Sequence, residues 1–184
     1  MICIILAAGE SKRFGENKLL YKIENKTFFQ ITLEKVLPLF KEIYVVTNYK
    51  EVIDMCKKNN VHIILNEDYK KGQGTSIKKT IPYLKDDFMF IVSDMPFLKT
   101  NTITDLINLF NSNKNVTRPI AKGKSGNPVI FPQHYSEKFH YLPDNKGGMY
   151  VVNSPINYLE VNGLEIFDID TKEDLEFILS KGLS

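Results

Sequence analysis

The chain has 184 residues, 24 of them lysine or arginine and 22 aspartate or glutamate, for a formal net charge of +2. At 43% hydrophobic and 25% charged, it has the composition of a soluble globular protein and the length of one domain, residues 1–184. Such a balance excludes a bulk electrostatic nucleic-acid binder, and no segment approaches the roughly 18 continuous apolar residues of a membrane span.

Ile2 to Ala7 is β-branched and uninterrupted, the pattern of a central parallel strand buried on both faces. It lacks the preceding basic segment of a secretory signal, so a cytoplasmic location is expected. Cys3 and Cys56 are accordingly expected to be reduced core thiols. Helical spacing follows over Thr27 to Phe40, then a strand over Glu42 to Thr47, a short helix over Glu51 to Asn59 and a third strand over Val61 to Asn66. Thr75 to Leu84 reads as a helix that ends at Pro82. Phe88 to Asp94 is a fourth strand and Thr100 to Asn111 another helix. Asn127 to Phe131 resembles a strand, Gln133 to Tyr141 a helix and Ile156 to Val161 a strand. Thr171 opens a last helix with a Thr-x-x-Asp capping box ending at Asp174. This alternation predicts an α/β fold: an open, mostly parallel sheet with right-handed crossovers and helices on both faces. Ligands of such folds bind beyond the carboxyl ends of the strands, where the loops after strands one, three and four converge.

The first of those loops, AAGESKRFGENK (Ala7 to Lys18), sets small residues and Gly9 directly after a buried strand, so that backbone amides can approach phosphate oxygens. Arg13 adds a planar fork and Lys18 a point charge, two ways of holding phosphate. The spacing fits neither a Walker loop nor a dinucleotide fingerprint. Asp94 closes the fourth strand, and Pro96, lacking an N–H, turns the chain away and leaves the carboxylate at the rim. Magnesium favours one or two carboxylates together with phosphate oxygens and waters. Charge is distributed to match: five bases against three acids in the first thirty residues, and seven acids against two lysines from Glu160 to Ser184. A small anionic ligand with a metal ion suits that asymmetry. His62, His134 and His140 are scattered without metal-ligand spacing, and no serine or cysteine nucleophile has an evident base partner.

LAAGESKRFGENK (Leu6 to Lys18) resembles the signature LAAGxSxRxGxxK of the MobA-like nucleotidyltransferases and fills all seven of its fixed positions beyond the apolar lead. Within that group it is most similar to the molybdenum cofactor cytidylyltransferases. NEDYKKGQGTSI (Asn66 to Ile77) resembles the family's base-recognition loop, SDMPFL (Ser93 to Leu98) its metal-binding DMP segment, GNPVIF (Gly126 to Phe131) its GxPxxF strand, and FDIDTKEDL (Phe167 to Leu175) its closing NIDTPEDL. The resemblance implies a three-layer, Rossmann-like fold of the nucleotide-diphospho-sugar transferase type and magnesium-dependent nucleotidyl transfer with release of pyrophosphate. It assigns catalysis to Arg13, Lys18 and Asp94, nucleotide binding to Leu6, Ala7, Ala8, Gly9, Ser11, Arg13, Lys18, Asn66, Gly74, Thr75 and Ser76, and the metal to Asp94 and Asp168. Asp170 is the alternative metal contact, read first as an acid favouring the start of the last helix.

Ser11 stands where the cytidylyltransferases have serine and the guanylyltransferases usually glycine, so the resemblance implies CTP in preference to GTP. The implied acceptor is molybdopterin, with a molybdenum hydroxylase as a partner. One segment departs from the family pattern. Members with pterin substrates often carry a GDxGxR-like stretch, where this chain has PDNKGGMYVV (Pro143 to Val152), with Asn145 for the aspartate and Met149 for the arginine. Lys146 offers a positive charge from a neighbouring position. The acceptor therefore stays open, with a sugar or alditol phosphate, a guanylyltransferase and a non-catalytic nucleotide-binding chaperone as the alternatives.

Overall fold

The computed structural model describes residues 1–180. The chain runs β1 (Ile2–Leu6), a hairpin of β2 (Lys22–Ile23) and β3 (Lys26–Thr27), α1 (Phe28–Val36), β4 (Glu42–Thr47), α2 (Lys50–Lys58) and β5 (His62–Leu65). It continues through α3 (Gln73–Thr80), β6 (Phe88–Val92), α4 (Thr100–Asn113), β7 (Val116–Ala121), β8 (Lys124–Ser125), β9 (Val129–Phe131), α5 (Tyr135–Lys138), β10 (Ile156–Glu160) and α6 (Lys172–Leu179). Eight strands form one sheet in the order β10-β7-β9-β6-β1-β4-β5, with β8 paired to β7. The centre is parallel, β1 lying between β4 and β6. The antiparallel strand β9 enters between β6 and β7, and the β10–β7 pair is parallel again.

The uninterrupted apolar run of β1 has its reason in this geometry. Cys3 and Ile5 point into a core shared with Phe29 and Leu33 of α1, Val52 of α2 and Leu106 of α4. Ile2 and Ile4 point the other way, into a second core with Ile77 of α3, Tyr135 of α5 and the rings of Phe88, Phe90 and Phe131. Helices thus cover both faces, and an alternating apolar–polar strand would leave one face unsatisfied. A smaller cluster of Phe14, Phe28, Ile169 and Leu175 ties the first loop to the start of α6.

Where expectation and structure differ, backbone chemistry explains the difference. Helix α1 begins with a capping box formed by Thr27 and Gln30 but stops at Val36, short of Phe40, because Pro38 lacks the N–H to continue it. Pro82 falls in a 3-10 turn, Ile81–Tyr83, that closes α3. The expected helix over Gln133 to Tyr141 is one α turn followed by a 3-10 turn. Strand β7 was not expected, since Pro119 lies in its middle and a proline argues against a strand interior. Among the described residues no helix is long and apolar enough to cross a membrane.

Candidate active site

The first loop is held from below and open above. After β1 the Ala7 amide still donates to the Val46 carbonyl at 2.8 Å. A Cβ on Gly9 would meet nothing within 4 Å, so this backbone faces open space. Ser11 takes a left-handed φ of 53° and starts a 3-10 turn, Lys12–Phe14, that ends at Gly15 with φ 82°. Phe14 packs edge-on to Tyr21 and Phe28 at 5.2 and 6.3 Å. That anchor leaves the neighbouring Arg13 outside, with its side chain 73% exposed. The Asn17 side chain then caps the next turn, which carries Lys18 inward to 12% exposure.

Lys18 is the centre of the charge cluster. Its Nζ donates to Asp94 Oδ2 at 2.9 Å, to the Ile169 carbonyl at 3.0 Å and to Asp170 Oδ1 at 3.2 Å, which uses all three ammonium protons. Burial disfavours its charge, but the carboxylates of Asp94 and Asp170 outweigh that and hold its pKa above the ordinary value. The other Asp170 oxygen lies 2.7 Å from Arg13 Nη2. Asp168 joins the group through its neighbour: the Ile169 amide donates to the Asp94 carbonyl at 2.9 Å. Asp168 keeps one side open to solvent. Crowding by protein on the other side, and then the charges of Asp94 and Asp170, push its carboxyl up to about 6.

The reading of Asp170 as a helix-start acid is corrected by this geometry. Its carboxylate holds both cations, whereas the start of α6 is capped reciprocally by Thr171 and Asp174. The amides of Asp170 and Thr171 both donate to Asp174 Oδ2, at 3.0 and 2.8 Å.

Above the cluster lies a cleft of about 320 Å³. Leu6, Ala7, Ala8, Gly9, Ser11, Lys18, Ser76 and Asp94 line it. Arg13 stands outside its wall, paired with Asp170, and Asp168 lies beside Asp94 without lining it. Asn66, Gly74 and Thr75 form a layer behind the wall. Asn66 Nδ2 donates to Ser76 Oγ at 2.9 Å and to Thr75 Oγ1 at 3.0 Å, and so orients the serine. A Cβ on Gly74 would fall 2.2 Å from the Pro143 carbonyl oxygen, and one on Gly72 2.6 Å from that of Asp144. These glycines admit the backbone of residues 143–145. Sequence reasoning did not assign Glu10, Leu19, Tyr69, Lys70, Gly72, Gln73, Val92 or Ser93, which also stand on the wall. Ser93 had a signal in its place before Asp94 at the end of a buried strand, and Glu10, Tyr69, Lys70, Gly72 and Gln73 lie inside the two loops singled out above; Leu19 carries no motif that marks it.

Four buried side-chain polar atoms among the described residues lack a hydrogen-bond partner, and Ser11 Oγ, Ser93 Oγ and Asp94 Oδ1 are three of them. All three residues line the cleft. Buried polar atoms are otherwise nearly always paired, so the concentration here points to a polar ligand. Among the described residues no group of three or more His, Cys, Asp or Glu side chains could hold a metal. Asp94, with an unpaired buried oxygen, and the neighbouring Asp168 are two carboxylates of the kind magnesium accepts when phosphate oxygens complete its shell.

A second cleft of about 210 Å³ meets the first at Leu6 and Gln73. Phe90, Val129, Phe131 and Met149 give it apolar walls, and Arg118 and Asn127 give it polar ones. Arg118 donates through Nε and Nη2 to the Gly126 carbonyl at 3.1 and 2.9 Å. Lys146, the expected source of positive charge, stands instead 5.9 Å from the Tyr150 ring centroid and does not line this cleft. Arg118 is the cation on the wall of this cleft.

A largely parallel sheet with a small-residue loop, two cations and a carboxylate cluster at its carboxyl edge defines an α/β protein of the nucleotide-transferase class. Residues 3–159 match the MobA-like NTP transferase domain, and the chain belongs to that family. It is 28% identical to a probable molybdenum cofactor guanylyltransferase of Aquifex aeolicus, over 97% of this chain and 90% of the relative. It is 29% identical to the molybdenum cofactor cytidylyltransferase of Escherichia coli, over 97% of this chain and 94% of the relative. The crystal structure of Rv0371c from Mycobacterium tuberculosis shares the fold at a TM-score of 0.82 and 19% identity, covering 97% of this chain and 96% of that one. A manganese complex of that protein superimposes at a TM-score of 0.77 and 18% identity over 97% of both chains. CMP:2-keto-3-deoxy-manno-octonic acid synthetase in complex with CTP gives a TM-score of 0.78 at 14% identity over 99% of both chains.

Proposed function

We propose that this protein, as a single domain spanning residues 1–184, transfers CMP from CTP to molybdopterin and releases pyrophosphate. The observation that carries the reading is the set of unpartnered Ser11, Ser93 and Asp94 atoms on the cleft whose floor is the Lys18–Asp94 pair. In this reading the triphosphate lies along the backbone from Ala7 to Ser11, with Lys18 beneath it. Arg13, exposed and held only by Asp170, exchanges that carboxylate for a phosphate oxygen. Magnesium held by Asp94 and Asp168 would supply charge neutralisation at the phosphates. The acceptor phosphate attacks the α-phosphorus in line and pyrophosphate leaves, with no covalent intermediate on the protein.

The second cleft takes the acceptor in this scheme. Its aromatic and aliphatic walls suit a flat heterocycle, and Arg118 suits the anionic end. The reaction runs in the cytoplasm, in keeping with two buried free thiols, and its product passes to a molybdenum hydroxylase.

The cytidine assignment rests on Ser11. Its hydroxymethyl group occupies space on the wall and its Oγ is free to bond a base or ribose. Overall identity does not choose between bases, because the guanylyl and cytidylyl relatives lie at 28% and 29%. Turnover with CTP and with GTP, using purified protein, magnesium and molybdopterin, tests the choice. We expect CTP to lead by at least about ten-fold in kcat/KM, the cost of one polar group left unpaired by the wrong base. Ser11→Gly should narrow that ratio. A preference for GTP would replace cytidylyl by guanylyl transfer, and absence of turnover with either would remove molybdopterin as the acceptor.

A further inference from the structure

Glu165 is a buried carboxylate that nucleotide chemistry leaves unused. It is 7% exposed and lies three residues before Asp168, between β10 and α6. Its Oε2 accepts from the Lys99 amide at 3.2 Å and from the Thr102 hydroxyl at 2.5 Å, both at the start of α4. Helix α4 begins with Lys99 at its N-cap, a residue with no acceptor to offer, and no local side chain caps it. The cap is delivered from a distant part of the chain. Lys35, on α1, feels the charge of Glu165 and donates from Nζ to the Pro96 carbonyl.

The loop from Asp94 to Lys99 is therefore held at three points. The Asp94 carbonyl accepts from the Ile169 amide, the Pro96 carbonyl from Lys35, and the Lys99 amide donates to Glu165. Two of these contacts come from the segment 165–169 and flank Asp168. Lys18, which donates to the Ile169 carbonyl, adds a hold at that end of the segment; Glu165 fastens the other end. We propose that Glu165 is a positioning residue whose clamp on the start of α4 fixes Asp168 against Asp94 and so sets the spacing of the two metal carboxylates. The proposal rests on the reading of Asp94 and Asp168 as the metal pair.

A helix cap alone would explain the same contacts, so the test separates the two roles. In the full-length double variant Glu165→Ala/Lys99→Ser, the new serine caps α4 locally while the link to residue 165 is lost. Binding of Mn²⁺ alone, followed by the electron paramagnetic resonance of the free ion, is compared with the melting temperature. We expect the melting temperature to recover toward wild type relative to Glu165→Ala, and Mn²⁺ affinity to stay about ten-fold weaker than wild type. Glu165→Gln, which keeps an acceptor oxygen, should remain within about three-fold. Should the double variant fail to fold, Thr102→Val removes the hydroxyl partner alone and should weaken Mn²⁺ binding about three-fold. Wild-type affinity in a folded variant lacking the clamp overturns the proposal. Wild-type protein that binds Mn²⁺ neither alone nor with a non-hydrolysable CTP analogue overturns the metal pair and the proposal together.

Discussion

Lys18 contributes more than a positive charge to a loop. It satisfies one oxygen of Asp94, one of Asp170 and the Ile169 carbonyl, and so joins the first loop to both carboxylate segments. Removing it leaves part-buried acceptors unpaired, whereas removing Arg13 frees only the outer oxygen of Asp170. The two cations should therefore differ. Lys18→Ala is expected to lower kcat/KM by roughly 10²-fold or more and to reduce stability by about 1–3 kcal/mol. Arg13→Ala should lower kcat/KM by about 10- to 100-fold with little change in stability, since its ion pair is solvent-exposed. Steady-state kinetics and urea unfolding on the same preparations check both. Equal loss of stability in the two variants would show that Lys18 does not carry the cluster.

At the scale of elements, Lys35 shows how one helix reaches the site. It lies on α1, whose position follows from the capping box at Thr27, and it donates to the loop between β6 and α4. Burial pulls its pKa down to about 8 from 10.5, only partly opposed by Glu165. Below pH 8 the ammonium is charged in folded and unfolded chains alike, and its burial cost is fully present. Between about 8 and 10.5 the unfolded chain binds more protons, so this group's contribution to stability rises with pH. Lys35→Met removes that dependence. Relative to wild type, the variant should lose on the order of 1–2 kcal/mol of stability between pH 8 and 10.5, after allowance for partial solvent screening. A wild-type-minus-variant difference that is flat with pH would place the titration elsewhere. What the sequence made legible follows the same local-versus-distant division. Strand β4 has the bounds read from its apolar run, and the α6 capping box lies within four consecutive residues, so both are local signals. The first loop was legible for the same reason. Strand β7 was hidden by Pro119, the hairpin strands β2 and β3 are two residues each, and the contacts of Glu165 and Lys35 join segments whose proximity exists only once the sheet has formed.

The whole molecule is a sheet with an apolar core on each face, and β1 contributes alternately to both. That sharing predicts that neither face unfolds without the other, because loss of one core withdraws the packing that holds the common strands. Two residues report on opposite sides. Phe88 is fully buried against Phe131 and Phe139, at centroid distances of 5.6 and 5.8 Å, on the α3 and α5 face. Cys3 is fully buried on the α1, α2 and α4 face, and burial raises its thiol pKa, so it reacts only when the structure opens. Phe88→Ala should cost about 3–5 kcal/mol through lost transfer energy and the cavity left behind. In a Cys56→Ala background, a disulfide reagent should then label Cys3 faster than in the Phe88 parent by the same free energy, roughly 150-fold for 3 kcal/mol. Labelling that stays at the parental rate while far-UV circular dichroism shows the expected loss of stability would mean that the α1, α2 and α4 face holds together alone. In that case the cleft, whose walls draw on strands β1 and β6, would outlast the second core instead of being lost with it.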